Sequence, residues 1–195
     1  MKFDTVIIGG GLAGYTAAKT LIERGLRCAV ITEGLSLKDV PLRSLPCSLF
    51  VGDRVLSADV EDGRVLALHT LRLEDELLEA DNYILATGKF FSKGLLVDMD
   101  RIYEPIFGLD LEADQDRAKW FSTDFCADQL FLHFGVKNYG GGRVALDGVM
   151  LKNLFAAGEL LSDISGIEED ADDRIRKSAA EAAAMINDRD KMALG

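Results

Sequence analysis

Residues 3–9 contain the run Thr5-Val6-Ile7-Ile8, β-branched and apolar on both faces, and end on glycine. That pattern predicts an interior parallel strand, because a strand covered on both sides shows no polar alternation. Over 12–24 the apolar positions recur at helical spacing and Gly25 follows as a stop, so a helix is predicted there. A second buried strand is predicted over 27–32. Strand, helix and strand within about thirty residues make a βαβ unit.

The stretch 35–50 holds two of the three prolines, Pro41 and Pro46, and little periodicity; it reads as a connecting segment with at most a short helix. Two alternating runs, 54–60 and 64–73, flank Asp62-Gly63, a dipeptide suited to the positive φ angles of a tight hairpin. Leu77-Leu78 offers a third strand before the buried run Asn82-Tyr83-Ile84-Leu85-Ala86. Residues 52–80 therefore read as a small antiparallel meander inserted into the main sheet. Residues 90–140 are rich in aromatics without a clean period, which suits packing. Strands follow at 143–146 and 153–157. A closing helix over 167–186 is predicted from the face formed by Ile167, Ala171, Ile175, Ala179, Ala182 and Ile186. The fold class is α/β, a Rossmann-type domain with a parallel central sheet and a small meander, and residues 1–195 are expected to form a single domain without a separate substrate domain.

Composition narrows the function classes. With 22 basic and 33 acidic residues the net charge is −11, and a nucleic-acid surface normally needs a basic patch, so no nucleic-acid partner is expected. No apolar stretch approaches the roughly 18 residues of a membrane span, and the first five residues do not open a signal peptide. A cytoplasmic protein without direct membrane insertion is expected. The three cysteines, Cys28, Cys47 and Cys126, lack CxxC or His-rich spacing and read as free packing thiols rather than a disulfide framework or metal site.

The chemistry is concentrated after the first strand. Gly9-Gly10-Gly11-Leu12-Ala13-Gly14 is GxGxxG between a strand and a helix. Gly9 permits the tight turn, Gly11 lets the backbone approach a pyrophosphate, and Gly14 allows helix and strand to pack closely, while the helix N-terminus faces the anion. Glu33 ends the second strand, where a carboxylate can accept hydrogen bonds from a ribose hydroxyl and disfavours a 2′-phosphate. Dinucleotide binding is the strongest inference the residues carry. His69 and His133 have no nucleophile beside them in sequence, and Lys89 and Lys93 read as solvated surface positions.

NAD and FAD share this unit, and two later blocks separate them. Ile84-Leu85-Ala86-Thr87-Gly88 and Leu154-Phe155-Ala156-Ala157-Gly158-Glu159 resemble two further signatures of FAD-dependent oxidoreductases of the glutathione-reductase-like type. The resemblance implies a turn near the cofactor at Thr87-Gly88 and an acid, usually Asp, at the ribityl and pyrophosphate region; here it is Glu159. With Val55 in the first hairpin strand, the expected cofactor-binding set is Gly9, Gly11, Leu12, Ala13, Gly14, Glu33, Val55, Thr87, Gly88, Gly158 and Glu159. FAD is expected ahead of FMN.

Residues 1–32, Leu45-Pro46-Cys47-Ser48-Leu49, the block ATGKFFSKGLLV with EPIFGLDL, Phe134-Gly135-Val136 and the block ending in Gly158 together resemble the B subunit of anaerobic glycerol-3-phosphate dehydrogenase. That family implies electron transfer from glycerol 3-phosphate and partner flavoprotein and iron–sulfur subunits. Members are much longer, and LPCSL lies far downstream of their βαβ unit, so an interior part is absent here. Where the family has a Gly- and Cys-containing approach to the last helix, this chain has Ile167-Glu168-Glu169-Asp170-Ala171-Asp172-Asp173. Acids in a first helical turn suit the dipole; aimed at a flavin pyrimidine they oppose a reduced anionic flavin. A compact FAD-binding or interaction module without turnover, or a small GidA-like tRNA-modification flavoprotein, are the alternative readings.

Overall fold

The computed structural model describes residues 2–34, 40–74, 76–99, 101–124 and 126–186. β1 (Lys2–Ile8) leads into α1 (Leu12–Glu23) and β2 (Cys28–Thr32), and Gly25 takes φ +81° just beyond the helix. After a short 3-10 turn at Leu42–Ser44 come β3 (Ser48–Val51), the hairpin β4 (Val55–Glu61) and β5 (Arg64–Thr70), and β6 (Glu79–Leu85). Four two-residue strands follow: β7 (Leu96–Val97), β8 (Ile102–Tyr103), β9 (Leu111–Glu112) and β10 (Gly135–Val136). The chain then returns through β11 (Arg143–Leu146), β12 (Val149–Ala156) and α2 (Ala171–Met185).

Six strands form the main sheet in the order β11-β12-β6-β1-β2-β3, parallel except that β11 runs against β12. β1 lies at its centre, with Val6 between Ala29 and Tyr83, and Val6, Ala29 and Tyr83 are fully buried. Apolar surface on both faces explains why the β1 run lacks alternation; each fully buried Ile or Val contributes about 1.5–3 kcal/mol. α1 and α2 pack against each other through small residues, Ala17 and Ala18 on one and Ala179, Ala182 and Ala183 on the other, all buried. The Arg24 guanidinium donates to the carbonyls of Ala183 and Ile186 and so satisfies the C-terminal end of α2.

Three departures from the sequence pattern have physical reasons. The connecting segment contains β3, an edge strand pairing in parallel with β2, whose four residues between Pro46 and Gly52 are too few to show a period; residues 35–39 of that segment lie outside the described residues. The meander is a two-stranded hairpin, turning on Asp62 and Gly63 at φ +50° and +71°, and its third strand is reduced to a single bridge between Leu68 and Leu78. The closing helix begins at Ala171 rather than Ile167, which is 72% exposed. Among the described residues, no helix is long and apolar enough to cross a membrane.

Candidate functional site at the carboxyl ends of the central strands

The sheet order changes direction between β1 and β6, and a cavity of about 660 Å³ opens there, at the carboxyl ends of β1, β2 and β6. Ligands of open α/β sheets bind at such switch points. Gly9 makes the turn out of β1 at φ +115°, and a Cβ on it would stand 2.2 Å from the Ala86 carbonyl oxygen. Gly14 lies where α1 crosses that turn: a Cβ would stand 1.9 Å from the Gly9 carbonyl oxygen. Gly11 differs. It is the N-cap of α1 in an ordinary extended conformation, no side chain caps the helix, and a Cβ there would meet no protein atom within 4 Å. The first N–H groups of a helix have no intrahelical partner, and here Gly11, Leu12 and Ala13 present them along the cavity wall. An uncapped helix start open onto a cavity fits a pyrophosphate.

Glu33 stands at the rim, half-exposed, with its carboxylate 3.9 Å from Arg54 Nε and 3.7 Å from Lys93 Nζ. Val55 begins β4 beside it and also lines the cavity. Its placement depends on Asp53, whose buried carboxylate accepts from Arg54 N at 2.7 Å, Arg72 N at 3.0 Å and Thr70 Oγ1 at 2.8 Å, fixing the base of the hairpin. On the opposite wall Thr87 and Gly88 follow β6, and the buried Thr87 Oγ1 has no hydrogen-bond partner in the protein. A buried hydroxyl without a partner is costly, and a polar ligand group in the cavity would satisfy it.

Nine of the expected residues line this one cavity: Gly9, Gly11, Leu12, Ala13, Glu33, Val55, Thr87, Gly88 and Glu159. Gly14 and Gly158 do not line it. Both are contact glycines, Gly158 at φ +76° with a Cβ position only 2.5 Å from Ala13 Cβ and its N–H bonded to Ser178 Oγ at 2.9 Å. They shape the site by letting α1 and α2 close over the strand ends.

Two lysines differ from the solvated-surface expectation. Lys93 is exposed but lines the cavity and pairs with Glu33. Lys89 is buried, 6% exposed, and its ammonium donates to the Leu132 carbonyl at 2.8 Å. Burial pulls its pKa down to about 8, opposed by the nearby Glu159, Asp163 and Glu168. His69 and His133 sit on the outside, paired with Asp59 and Asp128 at 2.9 Å, away from the cavity lining. At the start of α2, Asp170 is the N-cap without a side-chain cap bond and Asp172 and Asp173 fill the first turn, while Glu168 is paired with Arg174. Sequence reasoning misses Asp53, Arg54 and Phe91 in the lining; Gly52-Asp53 directly before the alternating hairpin is the available signal for the first two.

Removing the rim carboxylate tests its role. Glu33→Ala is expected to weaken FAD by about 1–3 kcal/mol, the range for a lost charged hydrogen-bond partner. Isothermal titration of the flavin-free protein measures it, and an unchanged affinity would leave Glu33 as a partner for Arg54 and Lys93 only.

A family model described as FAD binding domain matches residues 4–38 and 44–171. Curated relatives named as the B subunit of anaerobic glycerol-3-phosphate dehydrogenase are 43% identical over 60% of this chain in Actinobacillus succinogenes and 37% identical over 69% in Vibrio vulnificus. The matched parts make up 28% and 32% of those relatives, so the chain spans about a third of their length or less. An oxidoreductase from Agrobacterium tumefaciens shares the fold with a TM-score of 0.55 at 12% identity, over 95% of this chain and 97% of that one. The chain belongs to the FAD-binding domain family, with FAD as its cofactor, and resembles over its matched part the B subunit of anaerobic glycerol-3-phosphate dehydrogenase.

Proposed function

We propose that the chain is the FAD-holding domain of an oxidoreductase that works with partner subunits, passing electrons from glycerol 3-phosphate oxidation. The observation that carries this reading is the open, uncapped start of α1 at Gly11, facing the cavity whose rim holds Glu33. In this reading Gly11, Leu12 and Ala13 take the pyrophosphate, Glu33 the adenosine ribose, Val55 the adenine side, and Thr87, Gly88 and Glu159 the inner part of the cofactor. Gly9, Gly14 and Gly158 keep the surrounding backbone close enough to do so. Bound FAD supplies the two-electron acceptance and stepwise electron release that no side chain provides. The reading treats 1–195 as a single domain and carries a cytoplasmic location, which suits three free thiols. Partner flavoprotein and iron–sulfur subunits follow from the relatives' name and family, and a nucleic-acid partner is disfavoured by the charge of −11.

The substrate's dianion needs Arg or Lys donors or a helix N-terminus. In the stretch between β6 and β11 the cations are engaged locally: Arg101 lies over Tyr103, Arg117 over Trp120 and Lys137 over Tyr139, while Lys119 pairs with Asp114 and Asp116. The purified chain is therefore expected to bind FAD stoichiometrically yet to oxidise glycerol 3-phosphate poorly without its partners. The visible spectrum with identification of the released flavin checks the first part; steady-state assays with a dye acceptor check the second. Release of FMN, or no flavin uptake at all, overturns the cofactor placement, and robust turnover by the single chain overturns the need for partners.

A further inference from the structure

Cys28 opens β2 and Cys47 directly precedes β3. The parallel register Ala29 with Ser48 sets these two residues side by side at the start of the strand pair. Their thiols hydrogen-bond to each other. Neighbouring strands lie about 4.8 Å apart, inside the roughly 4.4–6.8 Å range of Cα separations that a disulfide spans. The two sulfurs are unequal in access: Cys28 is buried, with Sγ 4.0 Å from the Ala18 carbonyl, whereas Cys47 is partly exposed on the edge strand side of the sheet. An accessible thiol beside a buried one is the arrangement of an attacking and a resolving cysteine.

We propose that Cys47 and Cys28 form a hydroperoxide-responsive thiol pair that closes to a disulfide between β2 and β3. In the first step the Cys47 thiolate attacks one peroxide oxygen; an S–O bond forms, the O–O bond breaks, and the other oxygen leaves as alcohol, or as water when the oxidant is hydrogen peroxide. Cys47 is oxidised by two electrons to a sulfenic acid. In the second step Cys28 sulfur attacks Cys47 sulfur, the S–S bond forms, the S–O bond breaks, and the Cys28 proton leaves with the hydroxide as water. Two thiols and one hydroperoxide thus give one disulfide, one alcohol and one water.

The proton distribution suits these roles. The bond from Cys28 brings the Cys47 thiol down to about 7, against the opposing effect of burial. The same bond, then burial, raises Cys28. The thiolate is therefore held on the sulfur that an oxidant can reach. The pair lies at the opposite end of β2 from Thr32, about 13 Å away at the rise of a strand, so it acts apart from the flavin cavity. Its closure ties off residues 28–47, the segment that carries Glu33 at the cavity rim.

The test uses the flavin-loaded protein with Cys126→Ser, so that only these two thiols remain. After hydrogen peroxide and alkylation, non-reducing peptide mass mapping should show Cys28 joined to Cys47 with the loss of two hydrogens, reversed by dithiothreitol. Cys28→Ser should stop at a sulfenic acid on Cys47 that dimedone traps, and Cys47→Ser should slow oxidation of Cys28 by about tenfold or more. Far-UV circular dichroism confirms that each variant is folded. Cys47 sulfinic acid beside a free Cys28, a Cys47–Cys47 link between chains, or no reaction at either residue in the folded protein overturns the proposal, and the mapping decides this even if a serine variant fails to fold.

Discussion

Gly11→Val is expected to yield a folded protein that no longer holds FAD, whereas Gly14→Val is expected to lose the fold itself. The two glycines stand three residues apart in one motif, and their surroundings make the difference. At Gly11 the backbone is in a conformation any residue adopts and a Cβ meets no protein atom within 4 Å, so a valine side chain is accommodated at a stability cost of about 1 kcal/mol for an unfavourable N-cap. The space it fills is where a pyrophosphate must approach the N–H groups of the first turn. Losing two or three charge-assisted hydrogen bonds removes about 4 kcal/mol, roughly a thousandfold in affinity. At Gly14 the Cβ would stand 1.9 Å from a backbone oxygen, which no rotamer relieves. α1 would have to lift from β1, uncovering Leu12, Ala17, Ala18 and Leu21, all buried. A loss on the order of 4–5 kcal/mol or more takes most of a typical domain's stability. Flavin content and circular dichroism of both variants separate the cases. Stoichiometric flavin in Gly11→Val would sink the placement of the pyrophosphate, and a native melting transition in Gly14→Val would sink the close packing.

The parts of the molecule legible in the sequence are those fixed by local chemistry. The β1–α1–β2 unit shows itself through its apolar run and glycines, and the β4–β5 hairpin through Asp62-Gly63, which takes the positive φ angles that the dipeptide suggests. β6 and β12 are readable because central parallel strands are apolar throughout. What escapes is set by distant partners. β3 exists because β2 offers it an edge to pair with, not because four residues after a proline favour a strand. Gly158 is held by Ser178, twenty residues later on α2, and no local pattern announces that contact. Within the site, the glycine positions and Glu33 are visible as a motif, but the role of Asp53 depends on Thr70 and Arg72 across the hairpin. Lys89 is the clearest case. Next to a Gly turn it looks like a surface lysine, and it is buried only because the chain brings Leu132 over it.

That burial makes Lys89 the source of a pH-dependent stability, and the sign follows from its lowered pKa. Burial disfavours the ammonium, and the carboxylates of Glu159, Asp163 and Glu168 recover only part of the loss, so the folded-state value is about 8 against an ordinary 10.5. Below about pH 8 the lysine is charged in both the folded and the unfolded chain, and the fold bears the full cost of the buried charge. Between about 8 and 10.5 the unfolded chain binds the proton and the folded one releases it. Stability contributed by this group therefore rises with pH through that window, by up to about 3 kcal/mol. Lys89→Met keeps a chain of similar length without the charge, and it gives up the hydrogen bond to Leu132, a constant loss that does not titrate. Urea unfolding of both proteins at equal flavin saturation, from pH 7 to 11, cancels the tyrosines and other groups common to the two. The wild-type protein should gain on the variant by about 3 kcal/mol across the range, with most of the change between pH 8 and 10.5. A difference that stays flat would mean that Lys89 keeps its ammonium hydrated in solution, and the desolvated pocket under Leu132 would have to be abandoned.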